Sequence, residues 1–149
     1  MHDPVPAAEA GTDRTLVPDW YRQVPATGLP TTLGIVITEL SATRVVATMP
    51  VDDRTRQPYG LLHGGASIAL AETVASFGAT ASIDRDRQLA VGQEINGNHL
   101  RPMPSGTVRA TGVPVHVGRS TQVWSIEIAD EEGRLVCISR CTMAIIQRR

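Results

Sequence analysis

The sequence predicts an α+β fold in which one curved antiparallel β-sheet wraps around a single long central helix. Three observations predict it. Over residues 64–83 the positions Ala66, Ala69, Leu70, Thr73, Val74, Phe77 and Ala81 recur at helical spacing. The other periodic segments read as strands, two before that helix and four after it. A lone apolar helix needs a sheet to cover it, and one sheet wrapped around it is the economical arrangement.

The elements follow in order. Residues 1–15 are polar, small and proline-containing, and are expected to form a flexible N-terminal arm ahead of one domain over residues 16–149. A short helix is predicted after Pro18 with Asp19 in its first turn, and the prolines around it keep it short. Residues 33–39 and 44–50 are rich in Ile, Val and Thr, and pair as a hairpin across Ser41, Ala42 and Thr43. A polar loop with Pro58 leads to the helix. Within the helix, Gly78 either weakens it or permits close contact with a neighbour. Strands are predicted over 89–96, 107–117, 121–129 and 135–146. Trp124, Ile126 and Ile128 alternate with Val123, Ser125 and Glu127, which gives that strand one buried face.

Composition excludes several classes. A chain of 149 residues favours one domain. Only 3% of residues are aromatic, so small and β-branched side chains must fill the core. Fourteen basic residues against fifteen acidic ones give a net charge of −1, and so no broad field for nucleic acid or a membrane surface. No basic start precedes a long apolar run, and no stretch reaches the ~18 apolar residues of a membrane span, so a cytoplasmic protein is expected. Cys137 and Cys141 sit on one face of a strand about 13 Å apart at ~3.3 Å per residue, too far for a disulfide, and read as reduced, partly buried thiols. His2, His63, His99 and His116 form no metal-ligand spacing, and neither metal nor organic cofactor is expected.

The chemistry concentrates in residues 57–76, QPYGLLHGGASIALAETVAS. His63-Gly64-Gly65 stands where a loop becomes a helix. Glycine lets a ligand approach the backbone, and a helix N-terminus offers free N–H groups to an oxyanion. Taken alone, the turn reads as a plain helix start. Glu72 changes that balance: it sits among Ala69, Leu70, Ala71, Val74 and Ala75, and a carboxylate in so apolar a helix needs a reason. Ser76 lies one turn on, placed to donate a hydrogen bond to it. Gly64 and Glu72 are eight residues apart. That is about 12 Å along the axis at ~1.5 Å per residue, so one substrate carbonyl cannot meet both within one chain. If both act in one reaction, a twofold dimer with shared sites is required.

That segment, followed by VGQEINGNHLRP and HVGRSTQVW, resembles the hotdog-fold thioesterases of the PaaI-like group. The likeness extends to the 1,4-dihydroxy-2-naphthoyl-CoA hydrolases and to the Arthrobacter-type 4-hydroxybenzoyl-CoA thioesterases. It runs from about residue 33 to residue 146. The resemblance implies hydrolysis of an acyl- or aroyl-CoA to free acid and CoA. It implies Glu72 as nucleophile or general base, Gly64 N–H on the thioester oxygen with His63 beside it, Gln57 at the reacting centre and Ser76 in support. It also implies His99 near the acyl pocket, Arg101, Gly118, Arg119 and Ser120 on the CoA nucleotide, and a homodimer or homotetramer. Leu100 and Arg119 depart from the residues found there in those two branches, and leave the acyl group and the nucleotide contacts open. The rival readings are a non-catalytic acyl-CoA-binding protein, a thioesterase for acyl carrier protein thioesters, and a dehydratase, for which no suitably placed His and Asp pair is present.

Overall fold

A computed structural model describes residues 16–149. The arm expected over residues 1–15, with His2, lies outside the described residues.

The first helix, α1 (Asp19–Arg22), starts after Pro18 as its sequence predicts, and the Arg22 guanidinium reaches back to Asp19 at 2.7 Å. Its Tyr21 ring meets Phe77 edge-on at 4.9 Å, and Arg85 stacks 4.5 Å above Trp20. A second short helix, α2 (Gly28–Thr32), was not evident from periodicity. Pro30 is tolerated in its first turn, where N–H groups lack intrahelical partners, and Gly34 follows with φ +71, the left-handed conformation that ends helices. The strand expected from residue 33 therefore begins later, as β1 (Val36–Leu40).

The remaining elements are β2 (Val45–Pro50), α3 (Gly64–Ala81), β3 (Gln88–His99), β4 (Thr107–Val117), β5 (Thr121–Ala129) and β6 (Leu135–Gln147). β3 runs past the expected 89–96: Asn96 and Asn98 pair with Arg140 and Ile138 of β6, and the strand ends at His99, which pairs with Cys137. Among the described residues the strands form one six-stranded antiparallel sheet in the order β1-β2-β4-β5-β6-β3. β1 and β3 are its edges. No helix among the described residues is long and apolar enough to cross a membrane.

The sheet curves around α3, which contacts every strand. Leu70, Ala71, Val74, Ala75 and Ala79 are completely buried. From the sheet, β5 turns Gln122, Trp124, Ile126 and Ile128 inward, and β6 turns Cys137, Cys141 and Met143 inward. With few aromatics available, Trp124 supplies the bulk at the helix's C-terminal half. Its indole N–H donates to Gln122 Oε1 at 3.0 Å, the Gln122 amide donates to Ser82 Oγ at 2.8 Å, and Ser82 donates to the Ala79 carbonyl at 2.8 Å. This buried chain satisfies each polar group it contains and ties β5 to the end of α3.

Gly78 is explained by contact. A methyl group there would overlap the indole of Trp124, reaching 2.6 Å from Cζ3. The ring is fixed by its neighbours and by the Gln122 bond, so it cannot swing aside. Gly78→Ala is therefore expected to lower stability in urea denaturation by at least about 1 kcal/mol, even though alanine is the better helix former.

Candidate active site

The first turn of α3 supplies the site's backbone chemistry. His63 is the N-cap, and its Nδ1 accepts from Gly65 N–H at 2.8 Å. The His63 carbonyl takes the N–H groups of Ala66 and Ser67 at 2.9 and 3.3 Å. The remaining first-turn donor, Gly64 N–H, has no acceptor among the described residues. A free N–H at the positive end of an eighteen-residue helix is suited to developing negative charge.

The neighbouring side chains are set up as donors too. Since Nδ1 of His63 accepts, the neutral imidazole carries its proton on Nε2. Gln57 Oε1 accepts from Tyr59 N–H at 2.9 Å, which leaves the Gln57 amide NH₂ to donate. Gln57, His63, Gly64, His99 and Arg101 line one pocket of about 350 Å³, with Leu61, Leu62, Leu100, Pro102 and Val136 as its apolar walls. His99 stands directly over the helix start: a methyl at Gly64 would lie 2.6 Å from His99 Nε2. Arg101 is exposed at the rim and makes no ion pair among the described residues.

The structure adds Ser67 to this pocket. It is only 1% exposed, and its hydroxyl forms no hydrogen bond among the described residues. Its position three residues after Gly64, on the same helix face, was the available sequence signal.

Glu72 is elsewhere. It does not line the pocket; it is half-buried, two turns further along α3, with its carboxylate against Gly92 of β3. Ser76 is also half-buried, but among the described residues no hydrogen bond joins it to Glu72, contrary to expectation. The reason is geometric freedom: one helical turn brings two side chains near, and their rotamers decide whether they meet.

The nucleotide-binding candidates also separate. Arg101 N–H donates to the Val136 carbonyl, whereas Ile145 N–H donates to the Ser120 carbonyl. Val136 and Ile145 are nine residues apart on β6. That is roughly 30 Å at ~3.3 Å per residue, so Arg101 and the turn of Gly118, Arg119 and Ser120 occupy opposite ends of the sheet. His116 is the penultimate residue of β4, and its ring packs beside Gly118. Within one chain the candidates thus fall into two groups, one with Gln57, His63, Gly64, His99 and Arg101 around the pocket, the other with Glu72, Ser76 and the 118–120 turn away from it.

The cysteines take no part. Both are free and fully buried. Burial, with the Glu72 and Glu94 carboxylates nearby, pushes the Cys141 thiol up to about 12. Burial alone raises Cys137. No group of three or more His, Cys, Asp or Glu suited to a metal occurs among the described residues.

One curved antiparallel sheet wrapped around a single long helix defines the hotdog class of folds. Residues 59–137 match the family model described as Thioesterase superfamily. A Bacillus subtilis protein named as an esterase, ComA2, is 60% identical over 116 residues, covering 78% of this chain and 92% of that one. The 1,4-dihydroxy-2-naphthoyl-CoA hydrolase of Listeria monocytogenes is 47% identical over 122 residues, covering 82% and 98%. A mutant thioesterase of Pseudomonas aeruginosa superposes with a TM-score of 0.80 at 39% identity, covering 85% of this chain and 98% of that one. The chain belongs to the thioesterase superfamily and is a thioester hydrolase of the hotdog fold.

Because a thiolate is the reactive form, the raised Cys141 predicts inertness. Iodoacetamide at pH 8 is expected to label native Cys141 at least ~100-fold more slowly than the unfolded chain, read by mass spectrometry.

Proposed function

We propose that the protein hydrolyses an acyl- or aroyl-CoA to the free acid and CoA in sites shared across a homodimer. The observation that carries this reading is Gly64 N–H, a helix-start donor without an acceptor, facing a pocket whose polar side chains are also donors. The thioester oxygen accepts from Gly64 N–H, with the Gln57 amide and His63 Nε2–H close by. As the carbonyl carbon becomes tetrahedral, the oxygen gains negative charge and these bonds strengthen. A donor of this kind is worth about 10²–10³ in rate.

Glu72 of the partner subunit completes the reaction. Its carboxylate either attacks the carbonyl carbon, giving an anhydride that water then opens, or takes a proton from an attacking water. In both routes the C–S bond breaks and the CoA sulfur leaves, ending protonated as the free thiol. Ser76 lies beside this carboxylate on α3. His99 borders the acyl end of the pocket. Arg101 from one chain and Gly118, Arg119 and Ser120 from another hold the nucleotide and its phosphates, because one chain cannot present both ends.

The edge strand supports a dimer. β3 is twelve residues long, unpaired on its outer side, and half-exposes Leu89 and Val91 at 37% and 41%. Such an edge is a template for pairing with another strand. Antiparallel pairing of two β3 edges about a twofold axis would bring Gly64 and His99 of one chain toward Glu72 and Gly92 of the other. Two such dimers would make the homotetramer. The named activity of the Listeria relative supports an aroyl-CoA substrate, with acyl carrier protein thioesters as the competing class.

The test is a thiol-release assay on 1,4-dihydroxy-2-naphthoyl-CoA, benzoyl-CoA, phenylacetyl-CoA and hexanoyl-CoA. Glu72→Ala is expected to lose about 10²–10⁴ in kcat with its dimer intact by light scattering. Wild-type turnover in that variant would sink the reading. Sharing is tested by mixing Glu72→Ala chains with Gly64→Ala chains, each inactive alone. Shared sites leave one intact site per heterodimer and restore activity. Unshared sites leave every site defective.

A further inference from the structure

We infer that the bulge in β3 at Gly92 is the seat of the Glu72 carboxylate, and that Gly92 is a positioning residue for it. The inference rests on the catalytic reading of Glu72.

Pairing of β3 with β6 is regular from Leu89↔Ile146 to Gly92↔Met143, then resumes at Glu94↔Thr142, so Gln93 is the extra residue of a bulge. Bulges bend a strand locally and re-aim what lies beside it. Here the element beside it is α3. A methyl group at Gly92 would overlap Oε1 of Glu72 and stand 3.3 Å from its Cδ. The carboxylate therefore occupies the space that any side chain at position 92 would fill.

The backbone does not require glycine there. Gly92 is not among the glycines with positive φ, so an L-residue can adopt its conformation. Glycine also weakens a strand interior, and this strand is an edge. Close approach of the carboxylate is the remaining reason for it. Among the described residues no hydrogen bond fixes Glu72, so the shape of the bulge is what limits its rotamers. Gly97, on the same strand, is the internal comparison. A methyl there would overlap Ile68 Cδ1, an equally crowded contact with α3 that involves no catalytic group.

This arrangement separates folding from function. The end of a Glu side chain can rotate away from an added methyl, so the fold tolerates alanine at 92 while the carboxylate leaves its position. A displacement of ~1 Å can cost about 10²-fold in rate.

The experiment is a double-mutant cycle in the thiol-release assay, with thermal unfolding and light scattering on each variant. Gly92→Ala is expected to lower kcat at least ~100-fold with KM within about threefold, melting temperature and dimer mass unchanged. Gly97→Ala is expected to keep kcat within about threefold. Adding Gly92→Ala to Glu72→Ala is expected to cost nothing more, because no carboxylate remains to displace. Wild-type kcat in Gly92→Ala overturns the proposal. So does a further loss of the same proportion in the double variant, or loss of fold that persists there, since either makes the glycine a need of the strand itself. Wild-type kcat in Glu72→Ala overturns the catalytic reading, and this proposal with it.

Discussion

The packing of α3 against the sheet depends on small residues. Ala71, Ala75 and Ala79 are buried completely, and Gly78 lies under an indole ring. Strands therefore approach the helix closely, and the sheet must curve to reach it from each side. A helix of larger residues would hold the sheet further off and leave the concave face unfilled. Trp124 is the exception that makes this work: it fills the wide end, and the small residues of α3 make room for it. Its hydrogen bond to Gln122, and that residue's to Ser82, then fix the end of the helix.

The same closeness positions the candidate residues. Three places on α3 meet β3 at contacts where a methyl added to a glycine would overlap a side chain. Gly64 lies under His99, Ile68 lies on Gly97, and Glu72 lies on Gly92. The helix start faces a pocket, the helix middle faces the strand, and the carboxylate sits at the strand's bulge. Functional groups that one short segment of sequence brings together are thus spread along an axis. Their separation is a property of helix rise, which no side-chain rotamer can overcome.

His63 both lines the pocket and caps α3. As the N-cap it takes the Gly65 N–H, and its carbonyl takes the next two donors. By consuming these, it leaves Gly64 as the free donor of the turn. The capping geometry also fixes the imidazole tautomer, so Nε2–H is available for donation. The bonds that cap the helix are the same ones that set which donors face the pocket. The pocket is consequently rich in neutral donors, with Arg101 at its rim as a cation.

The sequence by itself determined the order of the six strands and α3 and the buried face of β5, because periodicity of 2 and 3.6 residues reflects local backbone geometry. It also determined that Gly64 and Glu72 are too far apart for one carbonyl, since that follows from helix rise alone. Local pattern failed at 28–34, where a one-turn helix ended by Gly34 leaves too few residues for a period. It failed at Ser76, where rotamers decide contact, and at Ser67, whose burial beside a pocket shared with residues 99–102 and Val136 has no local signal. Only the tertiary structure placed Arg101 and the 118–120 turn at opposite ends of the sheet, because that distance is set by the registers of β5 and β6. Only it placed Gly92 against Glu72, since a strand bulge and a helix twenty residues away in sequence have no local signal that joins them.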